Sequence, residues 1–146
     1  MKDDLAKKST TESMNVIHPL DERVLRALCA FPGREELAAQ IPHLQCRKRE
    51  DTVVGFWSFL SPAPEAKPSK TIGTEQFGDV YGLSSEARSF IAFLMFVEDG
   101  FITSLEGLAP AEDRFPRNTD SIALFSQDGR PIQRPPAGGY SGPDFW

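Results

Sequence analysis

The sequence predicts an α+β fold, with two N-terminal helices packed on an antiparallel sheet of about four or five strands. Three observations predict it. Apolar residues near the start recur at spacings of three and four, runs of β-branched and aromatic residues follow, and an Asp-Gly turn joins two of those runs. There is no alternation of strand and helix to support a parallel dinucleotide-binding sheet, and no internal repeat.

Each element has its own reason. Met1 to Asn15 is rich in Lys, Asp, Ser and Thr and has too few apolar groups to offset the entropy of ordering it, so 1–15 reads as a flexible arm. From Pro19, the residues Leu20, Val24, Leu25, Leu28 and Phe31 form one stripe, with Asp21, Glu22, Arg23 and Arg26 between them: an amphipathic helix. Pro32-Gly33 ends it. Arg34 to Ile41 offers Leu37, Ala38 and Ile41 as a second short stripe before Pro42. Val53 to Leu60 combines β-branched and aromatic residues in a length suited to one strand, and Pro62 and Pro64 close it. Ser61 to Lys70, with three prolines, is expected to be an exposed loop, and Thr71 to Val80 alternates poorly, between irregular strand and loop. Ser89 to Val97 and Phe101 to Leu108 form a β-hairpin across Glu98-Asp99-Gly100, because glycine after Asp readily takes the positive φ such a turn needs. The first arm is apolar on both faces, so it is expected to be central and buried on both sides. Ile122 to Phe125 makes a last short strand ending at Asp128-Gly129. The prolines and glycines beyond it argue for a tail without regular structure, so 16–130 reads as one domain and 131–146 as a Pro/Gly-rich tail.

Composition narrows the function. A chain of 146 residues with 40% hydrophobic residues supplies one core, and a net charge of −5 argues against general affinity for nucleic acid or an anionic membrane. Two cysteines are too few for a disulfide scaffold. The charged opening residues leave no apolar signal core, and the run from Phe90 to Val97 is too short to span a bilayer, so a cytoplasmic location is expected.

Catalytic signatures are missing from the sequence. His43 and Cys46, with Cys29 or His18 at a distance, do not complete a metal motif, and no metal or other cofactor is expected. Cys29 falls in the apolar stripe of the first helix and reads as packing. Cys46 precedes Arg47-Lys48-Arg49, whose charge would lower a thiol pKa, which marks it as a candidate reactive thiol. Gly73, Gly78 and Gly82 lack the strand, helix and Gly-Lys-Ser/Thr of a phosphate loop. Adjacent carboxylates such as Glu35 with Glu36, or Glu112 with Asp113, point apart and read as solvated faces. Phe56, Trp57, Phe59, Phe90, Phe93 and Phe96 sit in strand patterns and are assigned to the core.

The position of the negative charge is more informative. From Thr71 to Asp113 the acids are Glu75, Asp79, Glu86, Glu98, Asp99, Glu106, Glu112 and Asp113, against Arg88 alone. An acidic surface around the hairpin follows, of a kind that steers a basic protein partner to its site. The motifs Phe31-Pro32-Gly33 with Glu35-Glu36-Leu37 and Gln40, then Phe96-Val97-Glu98-Asp99-Gly100 and Ser104-Leu105-Glu106-Gly107, resemble a pattern in small bacterial proteins. Some of these serve as immunity proteins in polymorphic-toxin or contact-dependent growth inhibition systems. The resemblance spans residues 20 to 110 and implies that the chain, not itself an enzyme, binds a cognate and basic toxin domain, such as a nuclease, and neutralises it. Under that reading Glu98, Asp99, Glu106, Glu112 and Asp113 contribute charge pairing, and Tyr81, Phe101 and Phe115 are apolar anchors. Two alternatives stand beside it. One is a small enzyme or ligand-binding domain with a cleft near His43 and Cys46; the other is a homodimer formed by an exposed hairpin edge or the aromatic tail.

Overall fold

His18 caps the first helix, its Nδ1 accepting the Leu20 N–H at 3.1 Å, and Pro19 at the first helical position fixes φ for the turn that follows. A computed structural model of the chain describes residues 16–110 and 114–137. Helix α1 (Pro19–Leu28) carries Asp21 and Glu22 in its first turn and Arg26 in its last, the order that the helix dipole favours. Its stripe Leu20, Val24, Leu25 and Leu28 is almost completely buried, each side chain contributing about 1.5–3 kcal/mol of transfer free energy. Gly33, at φ +90°, turns the chain into α2 (Glu35–Ala38), a single turn that buries Leu37. The expected second helix therefore stops early, and a 3₁₀ turn (Ile41–His43) built on Pro42 takes up its last residues.

Eight strands follow: β1 (Leu44–Asp51), β2 (Gly55–Pro62), β3 (Glu75–Phe77), β4 (Val80–Ser84), β5 (Ile91–Glu98), β6 (Phe101–Leu108), β7 (Ile122–Ser126) and β8 (Pro131–Gln133). They form one antiparallel sheet in the order β1-β2-β6-β5-β4-β7-β8, with β3 also paired to β5. The expectation of two helices on four or five strands is thus overturned: the described residues are mostly sheet, an eight-stranded one, with only two short α-helices among them. The strands missed are β1, whose five consecutive charged residues hide its alternation, and short β4 and β8; β3 falls in Thr71 to Val80, the stretch that reads between irregular strand and loop. Strands β3 and β4 lie in turn along β5, separated by Gly78-Asp79, which lets β4 peel away to pair with β7. The expected hairpin is β5–β6, turning at Asp99 and Gly100, whose φ values are +50° and +82°. It lies between β2 and the β3–β4 column, so it has no free edge for pairing a second copy.

Both helices cover the same sheet face. Ile91, Phe93, Met95 and Val97 of β5, with Ile102 and Leu105 of β6 and Phe56 and Leu60 of β2, form the core beneath them. Gly107 lies under the Phe56 ring, where any Cβ would collide with it. The alternate residues Ala92, Leu94 and Phe96 are only half-buried, so β5 is central but not buried on both sides.

Polar clamps join the layers. Asp21, fully buried on α1, accepts from Arg49 Nε and Nη2, both at 3.1 Å, and from the Ser58 hydroxyl. Arg34 donates to Leu28 O and grips Asp79 through two bonds, its guanidinium lying 4.1 Å over the Phe77 ring. Arg23 donates to Thr119 O, Ile122 O and Gln133 Oε1, fastening β7 and β8 to α1. Gln40, 1% exposed, donates from Nε2 to Gly100 O at 2.7 Å and to Lys67 O at 2.9 Å, and accepts the Ile102 N–H at 3.0 Å. A hydrocarbon at Gln40 takes the side-chain partner from Lys67 O and the Ile102 N–H and leaves Gly100 O with the Ser69 N–H alone. Gln40→Leu is therefore expected to lower stability by about 3 kcal/mol or more in urea unfolding, far more than a surface substitution would.

Candidate functional site

Paired residues in an antiparallel ladder project to the same side, which defines the uncovered face. One row crosses it as Glu50, Trp57, Glu106 and Leu94, and the next as Lys48, Phe59, Ser104 and Phe96. The aromatics in these rows touch. Trp57 stacks on Phe59 with ring centroids 5.9 Å apart and on Phe96 at 5.6 Å, both nearly parallel. All three rings are half-buried, and the Trp57 indole N–H is enclosed without a hydrogen-bond partner among the described residues. Leu108, paired with Ala92 in the row beyond, is 38% exposed, and Phe90 at the entrance to β5 is 48% exposed. Of the six aromatics assigned to the core, only Phe56 and Phe93 are fully in it; Trp57, Phe59 and Phe96 pave the open face and Phe90 stands out of the packing. The signal that marks them is the i, i+2 spacing of Trp57 with Phe59 and of Leu94 with Phe96.

The charged candidates divide. Glu98 and Asp99 sit together, exposed, on the β5–β6 turn, with exposed Glu75 in β3 opposite Val97. Glu106 stands apart from them, half-buried between Trp57 and Leu94. Glu112 and Asp113 lie outside the described residues. Asp79 is held by Arg34, and Glu86 accepts the backbone N–H groups of Arg117 and Asn118. Among the proposed anchors, Phe101 opens β6 opposite Glu98. Tyr81 stacks on Phe125 at 5.5 Å, and Phe115 meets Phe56 edge-on at 5.5 Å, so both are occupied in packing.

A second feature lies at the β1 edge. A cleft of about 1270 Å³ opens between the entry to α1, strand β1 and residues Phe115–Thr119. Cys46 and His18 line it, together with Arg47, Arg49 and Arg117, none of which was singled out in sequence as a ligand contact; His43 is outside its walls. The basic run does not activate Cys46. Its thiol is buried, and burial and the Asp21 charge raise its pKa against the opposing effect of Arg49. Cys29, 3.9 Å from the Met95 sulfur, is pushed up to about 12 by desolvation. Burial, followed by the Arg49 charge, holds His18 below the usual imidazole range. Among the described residues no three His, Cys, Asp or Glu side chains are arranged to hold a metal ion, and no helix is long and apolar enough to cross a membrane.

Two outcomes follow. Both thiols are expected to resist a disulfide reagent at pH 8 in the native state and to react once the chain is unfolded in urea, as absorbance of the released thiolate will report. A histidine whose folded pKa is depressed stabilises the fold fully above the unfolded value, roughly pH 6.5, and less as the pH falls through its lowered folded value. Urea midpoints measured from pH 7.5 down to 5 are expected to decline, and the decline is expected to be shallower in His18→Asn, which keeps a side-chain cap without an imidazole.

Comparison with protein-family models, with curated proteins and with solved structures finds no match to this chain.

Proposed function

We propose that the protein binds a cognate bacterial toxin domain and neutralises it, laying the open face of its sheet on the toxin. The observation that carries the binding reading is the stacked trio Trp57, Phe59 and Phe96 on a face that the helices leave uncovered. Rigid aromatics lose little entropy when a partner covers them, and such residues dominate interface energies. Glu106 and Ser104 supply polar groups inside the patch, and Lys48 and Glu50, paired at 2.9 Å, form one rim. Glu98 and Asp99 form an acidic end that attracts a basic partner during encounter, a contribution that salt weakens.

The toxin enters through the resemblance of the Phe31-Pro32-Gly33 and Glu98-Asp99-Gly100 segments to immunity-type proteins. Charge supports the pairing, because toxins that act on nucleic acid are basic where phosphate binds. The test is growth rescue: the neighbouring upstream frame is inspected for a large secreted protein, and the chain is co-expressed with the C-terminal domain of the protein found there. The wild type is expected to restore growth and to bind that domain. Trp57→Ala is expected to weaken binding by roughly 30-fold while cooperative unfolding persists. Lysines at Glu98 and Asp99 are expected to slow association at low salt and to change it little at high salt. A wild-type chain that neither binds nor rescues refutes the toxin reading.

A further inference from the structure

We propose that the cleft at the β1 edge is a binding site for a small organic anion, a carboxylate or phosphate carried on an apolar body. The charges that face it are unevenly committed. Lys48 is paired with Glu50, and Arg49 directs its guanidinium to Asp21 and Asp51. Arg47 and Arg117 line the same cleft and have no carboxylate partner among the described residues. In a chain of net charge −5, two uncompensated guanidiniums on one concavity make a local site for negative charge.

The backbone at both exposed arginines is shaped by local structure. The β1–β2 register shifts between Cys46 and Lys48, so Arg47 lies in a bulge with no partner across the ladder, a device that re-aims a side chain. Arg117 sits on a loop whose backbone is fastened by the Glu86 carboxylate, which accepts the Arg117 N–H at 2.9 Å and the Asn118 N–H at 3.2 Å. Guanidinium forks bind carboxylate and phosphate groups through paired hydrogen bonds. The rest of the wall is mixed: Ile17, Pro19, Phe59 and Phe115 offer an apolar surface to a ring or short chain, beside Thr52, Thr119 and Asp51, the last neutralised by Arg49. Such a mixture, apolar walls with a few polar groups that fix orientation, is what small-molecule sites present. The volume exceeds the roughly 300–1,000 Å³ usual for such sites, so the ligand fills part of the cleft. This site shares Phe59 with the aromatic face but does not rest on the toxin reading, because it needs neither Trp57 nor the acidic turn.

The test is a titration of the full chain at low ionic strength, followed residue by residue by NMR, with phenyl phosphate and phenylacetate as the two anionic probes and inorganic phosphate as the bare charge. At least one aromatic anion is expected to saturate, with shifts at Arg47, Phe115 and Arg117; which one does so separates phosphate from carboxylate ligands. Inorganic phosphate is expected to bind about tenfold more weakly than phenyl phosphate if the latter saturates, because it leaves the apolar wall uncovered. Arg47→Ala with Arg117→Ala is expected to weaken the saturating probe by roughly 30-fold or more, with native spectral dispersion retained. Failure of both aromatic anions to saturate overturns the proposal. So does inorganic phosphate matching phenyl phosphate, or a folded double variant that binds as the wild type does.

Discussion

Covering material is the constraint on which the rest of this structure depends. Seven strand columns at ordinary spacing span roughly 29 Å, whereas a ten-residue helix is about 15 Å long and about 10 Å across. With one such helix and a single further turn, the described residues shield part of one face of the sheet. The shielded part is the core around Phe93, Met95 and Ile102; everything outside that footprint needs another solution.

Two solutions are visible. At the margins of the helical layer, backbone and side-chain polar groups replace apolar burial. Arg23 ties the β7–β8 end, Arg34 ties the β3–β4 break, Gln40 ties the hairpin turn, and Asp21 with Arg49 ties β1. The Asp21 carboxylate is fully buried, and a lone charge there would cost several kcal/mol; its guanidinium and hydroxyl partners offset that cost and fix the helix over one point of the sheet. On the uncovered face the answer differs. Trp57, Phe59 and Phe96 shield one another by stacking, which leaves a flat and ordered aromatic plate instead of a second layer. The cleft arises at the border between the regimes, where β1 runs past the end of α1 and the loop at Phe115–Thr119 closes the other side.

Legibility in the sequence followed the strength of each local signal. The stripe from Leu20 to Leu28 and the Asp99-Gly100 turn were readable because periodicity and backbone conformation are local properties. Strand β1 was not, since Arg47 to Asp51 reads as a solvated run until an edge position explains it: charge is what a free edge requires. Strand β4 was hidden for a different reason. Gly82 and Ser84 have little β propensity of their own, and the strand is organised by its partner β7 across a gap of some forty positions. The partner-binding candidates show the same limit. Glu98 and Asp99 are neighbours in sequence and in space, whereas Glu106 reaches the aromatic plate only through the β2–β6 register, and Arg47 and Arg117 come to line one cleft only through the fold.

The charged, kinked border strand has a consequence for the molecule's collective behaviour. An aromatic plate left in the open invites growth into stacked fibres, and such growth begins where backbone amides lie bare at a sheet margin. Here that margin is charged and bends away from a straight ladder, while the margin at β8 is three residues long and begins with proline. Protection against edge-on association therefore resides in residues other than those on the plate.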